Sequence, residues 1–291
     1  MSDYHKPVLL KEIIEGLRVK KGNKYIDATL GGGGHGVGIL RLGGIVLGID
    51  VDEDAIGFVN GRWKVESRRL NVEEGNLTLA RVNFRDIDKI ARLNNFDKVA
   101  GIIFDLGVSG HQIDESARGF SFQSEGPLDM RMDQKLGVRA LDLIKILTKG
   151  ELCEIFTKFG EETHAWAISN AIVRARSVKP IETTTDLAKI AFSIAGQSKK
   201  VFQALRIAVN DELNAIMEAL PKAVELLEEN GRLCVISFHS LEDRIVKRKF
   251  LEFESRKMGK IVTEKPIVPS AYELAANNRA RSAKLRIFEK A

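Results

Sequence analysis

Between Tyr25 and Asp105, short apolar runs alternate with helix-like stretches, and three of the runs end in an acid. Tyr25-Ile26-Asp27-Ala28-Thr29 leads into a glycine cluster, Gly31-Gly32-Gly33-Gly34. Residues 45–50 form the second run, tipped by Asp50; residues 77–82 form the third; residues 99–104 form the fourth, followed by Asp105. Helical patterns at 35–42, 54–65 and 87–93 separate them. Runs that are apolar almost throughout are buried on both faces, which calls for a parallel sheet with helices above and below it. The expected class is therefore α/β, with a Rossmann-like sheet.

The pattern changes after Gln112. Residues 118–131 are rich in Gly, Phe and Asp and lack periodicity. Helical patterns follow at 140–147, 151–159, 165–176 and 185–195, with no strand of comparable strength between them. Residues 202–228 read as one long helical stretch broken at Pro221. A strand at 233–237, a helix at 244–254 and closing strands at 261–262 and 283–288 resume the earlier alternation. The chain of 291 residues is long enough for about two domains. The expected division is a discontinuous α/β domain of residues 1–112 and 204–291, interrupted by an all-α insert of residues 113–203.

Hydrophobic residues at 44% and charged residues at 29% exclude a disordered acidic tail, a collagen and a low-complexity polymer. Lys and Arg number 45 against 40 Asp and Glu, a surplus of five that only mildly favours a polyanionic partner. The two cysteines, Cys153 and Cys234, are too few for a disulfide framework or a Cys-type zinc site. Five histidines without a His-x-x-x-His spacing argue against a metal site built by the protein. The N-terminus has no apolar leader, and no segment approaches the roughly 20 apolar residues of a membrane span, so a cytoplasmic location is expected.

Glycines after a first strand let a ligand approach the backbone closely, and the following helix offers free N–H groups. Asp50 lies 17 residues beyond Gly33, the spacing at which a carboxylate reaches the hydroxyls of a ribose. Gly31-x-Gly33-x-x-Gly36 matches the dinucleotide fingerprint literally. Asp27, however, ends the strand before the loop. It would repel a pyrophosphate and attract an amino group and a sulfonium, by several kcal/mol before screening. That favours S-adenosylmethionine over NAD, although a capping carboxylate explains Asp27 taken alone. Asp105-Leu106-Gly107-Val108-Ser109 and Ser237-Phe238-His239-Ser240 end later strands at the same rim, where open α/β sheets bind their ligands.

Seven strings carry a family resemblance: Asp27-Ala28-Thr29-Leu30-Gly31-Gly32-Gly33-Gly34-His35, Asp105 to Ser109, Gly119-Phe120-Ser121-Phe122, Gly126-Pro127-Leu128-Asp129-Met130-Arg131-Met132-Asp133, Phe202-Gln203-Ala204-Leu205-Arg206-Ile207, Ile236-Ser237-Phe238-His239-Ser240-Leu241-Glu242-Asp243-Arg244 and Arg279-Ala280-Arg281-Ser282. Standing in this order over almost the full chain, they resemble the bacterial 16S ribosomal RNA cytosine-N4 methyltransferases. The resemblance implies a class I methyltransferase domain interrupted by a helical domain that recognises RNA. It implies S-adenosylmethionine as cofactor, no metal, and 16S rRNA in the small ribosomal subunit as partner. The implied target is the exocyclic N4 of a decoding-region cytosine, position 1402. It places cofactor contacts on Gly33, Gly34, His35, Asp50, Phe84, Asp105 and Gln112, to which the residue-level reading adds Asp27. Gly110-His111 departs from the family's usual pair before Gln112, and 164–170 is poorer in arginine than the family pattern.

Cytosine N4 is a weak nucleophile because its lone pair is delocalised into the ring. Attack requires in-line placement and acceptors that draw on its N–H bonds. Asp105, Ser109 and His239 are the candidates. An unstacked base needs a pocket, for which Phe120 and Phe122 are candidates; Arg131, Arg244, Arg279 and Arg281 are candidate RNA contacts. Lys199-Lys200 and the runs 244–249 and 279–286 are the basic clusters. An NAD-linked oxidoreductase and a non-catalytic RNA-binding module remain the alternatives, and a monomer and a homodimer fit equally.

Overall fold

A computed structural model describes residues 7–70 and 73–291. In chain order the elements are α1 (Leu10–Leu17), β1 (Lys24–Asp27), α2 (Gly34–Arg41), β2 (Ile45–Asp50), α3 (Glu53–Leu70), β3 (Leu77–Arg81), α4 (Ile87–Leu93) and β4 (Val99–Asp105). Then come α5 (Gly110–Asp114), α6 (Ala140–Ile146), α7 (Lys149–Gly160), α8 (Ala165–Val178), α9 (Thr184–Ala195), α10 (Lys199–Asn210) and α11 (Glu212–Leu226). The chain closes with β5 (Leu227–Ser237), α12 (Ser240–Ser255), β6 (Gly259–Ile261), α13 (Ala271–Ala276) and β7 (Lys284–Lys290). Two compact units result, residues 1–107 with 213–291, and residues 108–212. Against the expected boundaries, the helical unit starts five residues earlier and ends nine residues later, because α10 packs in its core.

The first unit holds one seven-stranded sheet in the order β3-β2-β1-β4-β5-β7-β6. Strands β1 to β5 are parallel, and β7 runs antiparallel to both β5 and β6. Alternate residues of each strand face opposite layers. Ile26, Leu47, Ile102, Phe104, Leu233 and Val235 pack with Ile87, Leu220, Val224, Val246 and Phe250. Tyr25, Val46, Ile103, Cys234 and Ile236 pack with Ile13, Leu17, Ile39 and Leu40 on the other face. Both faces are covered, as the apolar runs require. No described helix is long and apolar enough to cross a membrane.

The helical stretch expected over 202–228 breaks at Asp211, not at Pro221. Asp211 has φ +51° between α10 and α11, while Pro221 lies inside α11. Asn210 supplies the reason. Its amide donates to Met130 O at 2.7 Å, and its Oδ1 accepts from Met132 N at 2.7 Å, so a distant loop holds the end of α10. Strand β5 begins at Leu227, six residues before the expected start, with an irregular register between Leu227 and Arg232.

The core of the second unit gathers Phe156, Ile168, Leu187 and Leu205 from its helices and Phe120, Leu128 and Met130 from the aperiodic segment. Two glycines shape that segment. A Cβ on Gly119, whose φ is +72°, would collide with Pro127 O, and a Cβ on Gly126 would collide with Ser116 O. Backbone cannot swing aside as a flexible side-chain tip can. Gly126→Ala is therefore expected to lower the unfolding free energy by about 1–3 kcal/mol, whereas Gly137→Ala, with open space around it, is expected to be near neutral. Urea midpoints of the full-length variants check this; equal midpoints would contradict it.

Candidate cofactor and active site

The sheet order reverses at β1, which lies between β2 and β4, and ligands of open α/β sheets bind beyond the strand ends at such a switch point. Those three strands end in Asp27, Asp50 and Asp105. The glycine loop is tied to them by main-chain bonds. Ala28 N donates to Ile103 O and Leu30 N to Ile49 O, both at 2.9 Å. Gly31 and Gly33 take φ of +49° and +73°, where a side chain is strained.

Asp27 is buried beneath the loop. Its Oδ1 accepts from Thr29 N at 3.3 Å and its Oδ2 from Gly36 N at 3.1 Å, so one carboxylate braces both ends of the cradle. Asp50 Oδ2 accepts from Gly31 N at 2.8 Å and Oδ1 from Asp52 N at 2.9 Å. Burial pushes the Asp50 carboxyl up to about 6, and the carboxylates of Asp52 and Asp27 add to this against the two N–H donors. Burial likewise raises Asp27, opposed chiefly by His35. Asp105 rises to about 6, through burial first, with His35 opposing and Asp27 and Glu242 adding. Its Oδ1 is buried and has no hydrogen-bond partner among the described residues. A rim of three desolvated carboxylates with one orphaned oxygen suits a cationic ligand, so the donor set fits an amino acid sulfonium.

His35, expected as a cofactor contact, is 4% exposed, with Nε2 2.9 Å from Val8 O and Nδ1 3.6 Å from Asp105 Oδ2. The His35 side chain is thereby engaged inside the protein. Phe84 follows β3 half-buried, its ring edge-on to Phe104 at 5.5 Å. His239 caps α12: its Nδ1 accepts from Glu242 N at 3.4 Å, and Glu242 Oε2 accepts from His239 N at 3.3 Å. Glu242 also accepts from Phe238 N at 2.7 Å and is fully buried. It is a buried acid that acts electrostatically on Asp105 and is absent from the sequence expectation, and the three-residue spacing from a capping residue was its one signal. Thr29 was missed as well; its Oγ1 accepts from Asp105 N at 2.6 Å and fixes the tip of β4.

Ser109 and Gln112 belong to the helical unit, where they form the capping box of α5. In the same unit Phe120 is buried in the core, while Phe122 is 37% exposed and edge-on to Phe202 at 5.7 Å. Arg131 clamps its own loop, donating through Nε and Nη2 to Asp129 at 2.8 and 2.7 Å, and through Nη1 to Gln134 O and Leu136 O. Arg244 on α12 and Arg279 and Arg281 in the turn 278–282 are exposed. The charge is unevenly spread. The stretch 108–212 holds 14 basic and 14 acidic residues, whereas 240–291 holds 13 basic and 7 acidic, so the chain's positive surplus lies in its last strands and helices.

Five parallel strands, a reversed strand inserted near the edge and an acid-rimmed glycine loop together define a class I methyltransferase domain. The family model described as the MraW methylase family matches residues 2–291, and the chain belongs to that family. The ribosomal RNA small subunit methyltransferase H of Thermomicrobium roseum is 43% identical, aligned over all of this chain and 94% of its own. Its namesake from Carboxydothermus hydrogenoformans is also 43% identical, over all of this chain and 99% of its own. Among solved structures, a putative rRNA-methylase from Clostridium thermocellum is 18% identical with a TM-score of 0.45, covering 99% of each chain.

Proposed function

We propose that this methylase transfers the methyl group of S-adenosylmethionine to the exocyclic N4 of a cytosine in the decoding region of 16S rRNA, position 1402. The single observation that carries the chemistry is the convergence of Asp27, Asp50 and Asp105 on one glycine loop at the switch point. Family membership and the names of the full-length relatives support the RNA substrate.

The cofactor supplies an electrophilic methyl group. Gly33, Gly34 and His35 would hold it through their main chain, Asp50 would take the ribose hydroxyls and Phe84 would flank the adenine; Gln112, a further candidate from the family resemblance, is engaged in the capping box of α5. Asp27 shapes the loop and adds negative charge toward the amino group and sulfonium. The methyl group would pass to N4 with the sulfur leaving as a thioether, and N4 would then have to lose one proton to an acceptor of this chain. Asp105, ionised, takes that proton and becomes the neutral acid; His239 caps α12, and Ser109 remains a further candidate acceptor. Of the two ring candidates for the unstacked base, Phe120 is taken up in the core of the helical unit, and Phe122, 37% exposed, is the one left to meet a base. The helical insert contributes shape, and the phosphate charge is met mainly by Arg244, Arg279 and Arg281, with Arg131 ordering the loop. A cytoplasmic protein acting as a monomer or homodimer fits this role.

The test is tritiated methyl transfer from S-adenosylmethionine to small subunits unmodified at this base, with nucleoside digestion. N4-methylcytidine is the expected product; another methylated nucleoside, or none, would overturn the reading. The charge distribution adds a second prediction. The double variant Arg279→Ala/Arg281→Ala is expected to reduce the salt dependence of subunit binding, by roughly one unit in the log–log slope for each phosphate no longer neutralised. An unchanged slope would contradict the assignment.

A further inference from the structure

We propose that α13 and the turn after it form a docking surface for an unpaired stretch of the substrate RNA, with the ring of Tyr272 stacking on a base and Arg279 and Arg281 meeting the adjoining phosphates. The inference deepens the RNA reading above and rests on it.

The surface stands at the rim that holds the acids. Strand registers put Asp105, Ile236 and Leu285 in one row across β4, β5 and β7. Neighbouring strands lie about 4.8 Å apart, so Leu285 stands roughly 10 Å from Asp105. The turn 278–282 comes just before β7, whose first residue, Lys284, lies opposite Ser237 at the end of β5. It therefore lies at the carboxyl ends of the parallel strands, where Asp27, Asp50 and Asp105 stand. Helix α13 is tied to the same rim from the loop side. Glu273 Oε1 accepts from Leu9 N at 2.7 Å, and Pro7 lies so close to the glycine loop that a Cβ on Gly34 would meet it at 2.8 Å.

The backbone here is fixed while the side chains are displayed. Ile267 and Leu285 exchange N–H···O bonds at 2.9 and 2.8 Å. Ser270 Oγ accepts from Glu273 N at 3.2 Å, Asn277 Oδ1 accepts from Arg279 N at 3.3 Å, and Ala280 is fully buried. Yet α13 buries none of its own residues. Tyr272 is 86% exposed, more than any other Phe, Tyr or Trp among the described residues. A ring held in water on an ordered backbone is a platform whose ordering cost is met before a partner arrives.

Charge selects the partner. Residues 265–281 carry Lys265, Arg279 and Arg281 against one acid, Glu273, which is engaged by Leu9 N. That surplus favours a polyanion over a protein face. An aromatic ring stacks on any base, and an unpaired strand is what offers a free base face together with phosphates on either side.

Equilibrium binding of unmethylated small subunits, with S-adenosylhomocysteine present, by wild type, Tyr272→Ala, Tyr272→Leu and Tyr272→Phe tests the proposal. Tyr272→Ala is expected to weaken binding roughly five- to hundredfold. Its log–log salt slope is expected to match wild type, because a stack neutralises no phosphate. Tyr272→Phe is expected to bind like wild type and Tyr272→Leu is not. The ring is exposed, so the variants are expected to fold, with affinity for S-adenosylmethionine within about twofold of wild type as the check. Undiminished binding by Tyr272→Ala overturns the proposal. So does wild-type affinity in Tyr272→Leu, the signature of an apolar contact with a protein of the subunit, and so does a wild type that binds no subunits. The two readings fail separately. Wild type that binds subunits without forming N4-methylcytidine loses the reaction, while the variants still decide the role of α13; N4-methylcytidine formation with undiminished Tyr272→Ala binding loses the docking surface alone.

Discussion

Asp105→Asn is expected to raise the melting temperature of the ligand-free protein at pH 8 while removing methyl transfer. Burial lifts the folded-state pKa of Asp105 from 3.8 to about 6. The folded protein therefore holds this proton more tightly than the unfolded chain does. The stabilisation this gives is complete below about pH 4 and is lost as the pH rises through 6. Relative to that acidic limit, the ionised side chain at pH 8 costs up to about 3 kcal/mol. Asparagine keeps the shape and removes the charge. A gain of about 1–2 kcal/mol corresponds to a rise of roughly 2–8 °C for a domain of this size. Activity is expected to fall by roughly a hundredfold or more, because the N4 proton loses its acceptor. Scanning calorimetry at pH 4.5 and 8 with single-turnover assays checks both halves. The gain should shrink at pH 4.5, and a lower melting temperature at pH 8 would contradict the electrostatic account.

Asp50→Ala is expected to weaken S-adenosylmethionine binding by roughly 10²–10³-fold. Hydrogen bonds to a charged group are each worth about 1.5–3 kcal/mol, and in the proposed site two ribose hydroxyls depend on this carboxylate. The substitution also leaves the N–H groups of Gly31 and Asp52 without their acceptor, so the loop keeps only its main-chain tie to β2 through Leu30 N and Ile49 O. With the folded-state pKa near 6, wild-type affinity is expected to drop as the pH falls through 6, for S-adenosylhomocysteine as well, and this dependence should vanish in the variant. A loss below fivefold would place the ribose elsewhere.

The rim was legible in the sequence because each strand is a nearly unbroken apolar run that stops at an acid, and both features are local. The expected strand at 45–50 and helix at 87–93 match β2 and α4 residue for residue. What was not legible depends on partners far away in sequence. The helix break at Asp211 is set by the loop at Met130 and Met132, which grips Asn210 across about 80 residues. Arg131 reads as a free cation until Asp129 and two carbonyls are seen around it. Glu242 looks like a helix-start acid, and only the fold brings its charge to bear on Asp105. Helix α1 escaped notice because its apolar face is short, yet the segment just before it supplies the carbonyl that fixes His35.

The most direct measurement is calorimetric titration of the wild-type protein at pH 7.5 with S-adenosylmethionine, S-adenosylhomocysteine and NADH. One site per chain for the two adenosyl ligands, lost in Asp50→Ala, and no heat from NADH is the predicted result. Saturable NADH binding with no response to either adenosyl ligand would contradict the account at its root.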